Sequence, residues 1–88
     1  MRLEDAQKIL KRPYVTERTF DQIERENKLC FLVEDRVSKT QIASAVQALY
    51  EVKVETVNTS RTNRGKKAFV RFTEVGKAAE LATKLGLV

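Results

Sequence analysis

Residues Val52 to Phe72 read VKVETVNTSRTNRGKKAFVRF, and two patterns within them decide the fold. Ala68, Val70 and Phe72 alternate with Lys67, Phe69 and Arg71, the period of a half-buried strand, so Lys67–Phe72 is predicted as a strand. Before it, Val52 and Val54 share one face of a second strand, Val52–Ser60, while Val57 and Thr59 share the other, which predicts a bulge near Glu55. Asn63, Arg64 and Gly65 supply turn chemistry between the two, and the pair is predicted as a hairpin.

Upstream, Ser38 with Gln41 three residues later is a capping box, and Ile42, Ala45, Val46 and Leu49 recur at helical spacing as far as Tyr50. Lys28–Val33 reads as a strand with Leu29, Phe31 and Val33 on one face and Cys30 and Leu32 on the other. Both faces are apolar, so both should be covered. Thr16 is a candidate N-cap for a helix from Glu17 to about Arg25, stapled by Val15 and Phe20 and closed by a left-handed Asn27. Pro13 should end any helical turn over Asp5–Leu10, leaving residues 1–13 as an N-terminal arm. After the hairpin, Thr73 is a candidate cap for a helix with Val75, Ala78, Ala79, Ala82 and Leu85 on one stripe and Gly86 at its end.

The expected fold class is therefore α+β, a split β-α-β domain over residues 1–88 with three helices. Its three-stranded antiparallel or mixed sheet has the order 1-3-2, with no fourth strand after the last helix. With 88 residues, 42% of them hydrophobic, there is apolar material for one small core. The lone Cys30 excludes an internal disulfide, and Glu4, Asp5 and Lys8 replace an apolar signal core, so a cytoplasmic location is expected. No apolar run approaches the roughly 20 residues of a bilayer span, and no membrane insertion is expected.

Histidine is absent, which removes the commonest general base and, with a single cysteine, every His/Cys metal pattern. The carboxylates are spread beside cations, and Gly65, Gly76 and Gly86 are too far apart for a phosphate loop. Neither an enzyme nor a cofactor or metal site is expected. The charge points elsewhere. Between Thr56 and Thr73 there is no acid, yet Arg61, Arg64, Lys66, Lys67 and Arg71 fall there. Removing these five from the 17 basic residues leaves 12, matched by 12 acids, so the whole net charge of +5 belongs to the hairpin. Uncompensated cations of this kind neutralise phosphates and release counterions, which predicts salt-sensitive binding to a nucleic-acid backbone. Lys11 and Arg12, with Lys8 beside them, form a second basic group before Pro13.

Arg64-Gly65-Lys66-Lys67-Ala68-Phe69-Val70-Arg71-Phe72 partly follows the signature of the RNA-recognition motif. Two lysines stand where a base-stacking aromatic belongs, so Phe69 and Phe72 are expected in the core. A free single-strand RNA-binding module of that type is the alternative reading.

Three stretches resemble the large-subunit ribosomal protein L twenty-three family over essentially the whole chain. Pro13-Tyr14-Val15-Thr16-Glu17-Arg18 is similar to the family's opening motif, and Asn27 to Val33 followed by Ser38-Lys39 to its first strand and crossover. Val54 to Thr59 and then Lys66-Lys67-Ala68-Phe69-Val70-Arg71 resemble its hairpin, with Phe72 where the family more often has Leu. The short connection between the hairpin strands resembles archaeal members, whereas bacterial ones carry a long loop into the tunnel. The resemblance implies a structural constituent of the large ribosomal subunit, bound to its RNA near the polypeptide exit tunnel and monomeric outside the ribosome. It also implies contact with ribosomal protein L twenty-nine and a share in the docking site for signal recognition particle or other exit-site factors. By motif matching, Glu17 falls on the family's docking acid.

Overall fold

The computed structural model describes residues 1–87; Val88, the last residue of the expected domain, lies outside them. The chain runs α1(Leu3–Ile9), β1(Leu10–Pro13), α2(Glu17–Glu26), β2(Lys28–Val33), α3(Lys39–Tyr50), β3(Val54–Thr62), β4(Gly65–Phe72) and α4(Lys77–Lys84). The sheet has the order β1-β2-β4-β3, and every neighbouring pair is antiparallel. This corrects the expected three-stranded 1-3-2 sheet with three helices: there are four strands and four helices among the described residues.

The added strand comes from the segment read as an arm. Pro13 has no N–H to give a ladder, which bars it from a central strand but not from an edge. β1 is an edge strand. Leu10 pairs with Val33, Arg12 with Leu32 and Pro13 with Phe31, while Tyr14 N donates to Cys30 O at 2.8 Å. The step from Leu10 to Arg12 holds an extra residue, so Lys11 sits in a bulge. Ala6, Ile9 and Leu10 are buried in the core, so α1 is fixed by packing rather than by a cap; Arg2 makes no capping side-chain bond.

α1 and α3 pack together over one face of the sheet, where Leu29, Phe31, Val33, Ala68, Val70 and Phe72 meet Ile42, Ala45 and Val46 in one hydrophobic cluster. Phe31 stacks on Tyr50 with ring centroids 6.0 Å apart. Both bonds of the Ser38/Gln41 box start α3, and Asn27 closes α2 at φ 57°. β3 steps register between Val54 and Thr56, which leaves Glu55 as the bulged residue.

α4 differs from expectation at its start. Gly76 precedes it in place of Thr73, and Val75, 95% exposed, lies outside the helix. Ala78, Leu81 and Ala82 form its buried stripe, whereas Ala79 is exposed. The capping bond comes from across the fold: Asn27 Oδ1 accepts from Ala78 N at 2.9 Å. Asn27 Nδ2 also donates to Phe72 O at 3.0 Å and to Glu74 O at 2.7 Å. One side chain thus ties the end of α2 to the end of β4 and the start of α4.

Candidate nucleic-acid interface

Strand alternation sends Ala68, Val70 and Phe72 into the core and Lys67, Phe69 and Arg71 to the opposite face of the sheet. Directly paired residues share a face, so that opposite face can be followed across strands. One row runs Arg12, Leu32, Lys67, Ser60; a second has Cys30, Phe69 and Asn58; a third has Lys28, Arg71 and Thr56. Among the described residues no helix covers the β3 and β4 side of this face, and α2 borders it through Arg18, Thr19 and Gln22. The result is a trough floored by Lys67, Phe69, Asn58 and Ser60, with Tyr14, Arg18, Gln22 and Lys28 on its walls.

Phe69 corrects one expectation. It is half-buried, lines the trough and stands outside the hydrophobic cluster, whereas Phe72 is a core residue. Beside it the Lys67 ammonium lies 4.0 Å from the centroid of the Tyr14 ring, a cation–π contact that holds an otherwise flexible side chain in place. Burial pushes the neighbouring Cys30 thiol up to about 11, with Lys67 acting weakly in the other direction. Cys30 is therefore a neutral, buried thiol at physiological pH.

The seven cations singled out in the sequence separate into groups. Arg12 and Lys67 share a row of the open face, two strand spacings or roughly 10 Å apart across Leu32. Arg61 and Lys66 face the other way and are occupied. Arg61 Nη2 donates to Asp35 O at 3.3 Å, and Lys66 Nζ donates to Val37 O at 2.7 Å and Asp35 O at 3.5 Å, fastening the hairpin tip to the loop after β2. Arg64 is exposed in the turn, where Thr62 Oγ1 accepts from its N–H at 3.2 Å and Gly65 takes φ 118°. Lys11 is exposed in the β1 bulge. Arg71 lies at the far end of the face, in a depression it shares with Glu24, Glu26 and Glu55. Among the described residues none of the seven forms an ion pair; the pairs present are Lys28–Glu26 and those that Lys77 and Lys84 make with Glu74 and Glu80. Glu17 is exposed in the first turn of α2 and is likewise unpaired among the described residues.

Several trough residues escape a reading by charge clusters alone. Arg18 and Lys28 arrive from other segments, and the polar series Asn58, Ser60, Thr62 lies at alternate positions of β3. That alternation is the signal available in the sequence, since a strand polar at every second residue has a face outside the core. Among the described residues three cations and no carboxylate line the trough, while hydroxyl and amide groups fill the spaces between. Such a surface suits a polyanion with sugar and base edges to hydrogen-bond.

Comparison with known proteins follows the same direction. The family profile described as Ribosomal protein L23 matches residues 8–83. The chain is 45% identical over 80 residues to the large ribosomal subunit protein uL23 of Haloarcula marismortui, covering 90% of this chain and 94% of that one. Its counterpart in Pyrobaculum aerophilum is 46% identical over 81 residues, 91% of this chain and 100% of that one. The uL23 of Dictyostelium discoideum is 45% identical over 85 residues, 96% of this chain and 50% of that longer protein.

Proposed function

The chain belongs to the Ribosomal protein L23 family and is a structural, non-enzymatic constituent of the large subunit of the cytoplasmic ribosome; from that premise we propose that it binds large-subunit ribosomal RNA through the open face of its sheet. The observation that carries this reading is the trough lined by Arg18, Lys28 and Lys67, with no carboxylate among the described residues that line it. Lys67 and Arg12 contact phosphates along the open face, and Arg64 and Lys11 extend the contact at the hairpin turn and the bulge. Arg61 and Lys66 act first as pins for the loop after β2, because their donors are engaged with Asp35 and Val37 carbonyls. Shape and backbone charge, rather than a base sequence, set the binding site.

The reading extends to position and partners. The domain sits near the polypeptide exit tunnel beside ribosomal protein L twenty-nine, and its exposed Glu17 contributes to the docking site for nascent-chain factors such as signal recognition particle. The family resemblance around Pro13 to Arg18 and the exposed position of Glu17 in the first turn of α2 support this.

A filter-binding titration of large-subunit RNA tests the central claim. Affinity should fall steeply with salt, and Lys67→Gln should lower the slope by about one unit as one phosphate contact is lost. A flat slope in the wild-type protein rejects RNA binding through this face.

A further inference from the structure

We propose that the trough on the open face receives one unpaired nucleotide of the RNA, its base stacked on Phe69 and its exocyclic amine on Gln22, an inference that rests on the RNA-binding reading above. The ring of Phe69 is the first reason. It lies at the floor of a cationic, hydroxyl-lined trough and outside the hydrophobic cluster, a position where neither core packing nor hydration suits it. A flat π-surface does suit it, because base–aromatic stacking covers the ring and tolerates polar surroundings.

Gln22 supplies the second reason. Its Oε1 is buried and has no hydrogen-bond partner among the described residues, an unfavourable state for an acceptor. Neither Lys67, held over the Tyr14 ring, nor Lys28, 3.5 Å from a Glu26 oxygen, fills this acceptor. Gln22 lines the trough, so a turn of its amide toward the opening presents this acceptor to an exocyclic amine, which adenine, cytosine and guanine carry and uracil lacks. Asn58, beside Phe69 on the neighbouring strand, adds an amide able to donate and accept.

Charge is the third. Arg18, Lys28 and Lys67 ring the trough, so the flanking phosphates of a splayed nucleotide meet cations on either side. A base inside a duplex cannot reach Phe69, since both its faces are already stacked; the occupant must be extruded or single-stranded.

Filter binding of a large-subunit RNA transcript by the full chain and its variants separates this proposal from the reading beneath it. Phe69→Leu should weaken binding about tenfold at fixed salt with the salt slope unchanged, since it removes stacking and no charge. Phe69→Tyr keeps the ring and should stay within about twofold of wild type, and Gln22→Met should weaken binding about fivefold. Thermal melts confirm that each variant is folded. If Phe69→Leu binds like wild type while Lys67→Gln lowers the slope, the trough holds phosphates alone and the nucleotide proposal fails with RNA binding intact. If the wild-type protein does not bind the transcript, RNA binding itself fails. Ultraviolet cross-linking of the wild-type complex gives a measurement free of mutation: a base joined to Tyr14 or Phe69 is expected, and cross-links confined to residues 61–64 would overturn the proposal.

Discussion

Asn27 concentrates more of the fold in one side chain than any local pattern announces. Its backbone takes φ 57°, which asparagine tolerates better than most residues, and its amide joins Phe72, Glu74 and Ala78. Replacing it with alanine leaves two carbonyls and one helix N–H without these partners and adds left-handed strain. Asn27→Ala should cost about 3 kcal/mol, lowering the melting temperature by roughly 15 °C. Asn27→Gly loses the same three bonds but relieves the strain, so it should recover about 1 kcal/mol; equal melting of the two variants would remove strain from the account. Cys30 sets a pH dependence. Its thiol is raised from 9.0 to about 11 in the fold, so the unfolded chain releases this proton first. The contribution is complete below pH 9 and is lost as pH rises through about 11. Denaturant titrations at pH 8 and pH 11 should show Cys30→Ala losing about 1 to 2 kcal/mol less than wild type over that interval. An identical loss in both proteins would mean that the thiol ionises alike folded and unfolded.

The hairpin divides its cations by the period of its strands. Lys66 shares the face of Ala68 and reaches backbone carbonyls of the loop after β2, whereas Lys67, one residue on, faces the trough. The two lysines should therefore separate in experiment. Lys66→Met removes a charged hydrogen bond to Val37 O and should cost about 1 kcal/mol of stability while leaving the salt slope of RNA binding nearly as it was. Lys67→Gln should do the reverse. Equal effects of both substitutions on the slope would show that the tip binds as a diffuse cloud of charge rather than by face. That Lys67, Phe69 and Arg71 oppose Ala68, Val70 and Phe72 was readable from spacing, because a strand writes its two faces into alternate residues. What covers each face was not readable. Phe69 looks as apolar as Phe72 in the chain, and what tells them apart is their surroundings, the open trough for Phe69 and the hydrophobic cluster for Phe72. The cap of α4 was hidden for a similar reason: Thr73 is a good local candidate, but the bond to Ala78 comes from Asn27, 51 residues earlier.

The N-terminal segment meets the same limit of local pattern. Pro13 stops a helix, and four residues of β1 carry no alternation of their own, so Leu10–Pro13 becomes a strand only because β2 offers it an edge. The consequence reaches the entire core. Ala6, Ile9 and Leu10 are buried against the sheet and α3, and β1 covers the flank of β2 that would otherwise expose the N–H and C=O groups of an apolar strand. Fully burying Ile9 and Leu10 contributes roughly 2 kcal/mol each, and with the β1 ladder the segment accounts for about 5 kcal/mol. A domain of this size has on the order of 5 to 15 kcal/mol in total, so removal of residues 1–13 should leave a chain that is largely unfolded or melts far below the full-length protein. An arm free of the core would be dispensable, and the truncated chain would then keep its near-native circular dichroism and cooperative melt. RNA decides between loss of fold and loss of contact. Because ligand that binds only the folded state shifts the folding equilibrium by mass action, saturating large-subunit RNA should restore part of the truncated chain's helical signal, and more so at low salt. Failure to regain structure at any RNA concentration would mean that α1 and β1 are needed to build the trough itself.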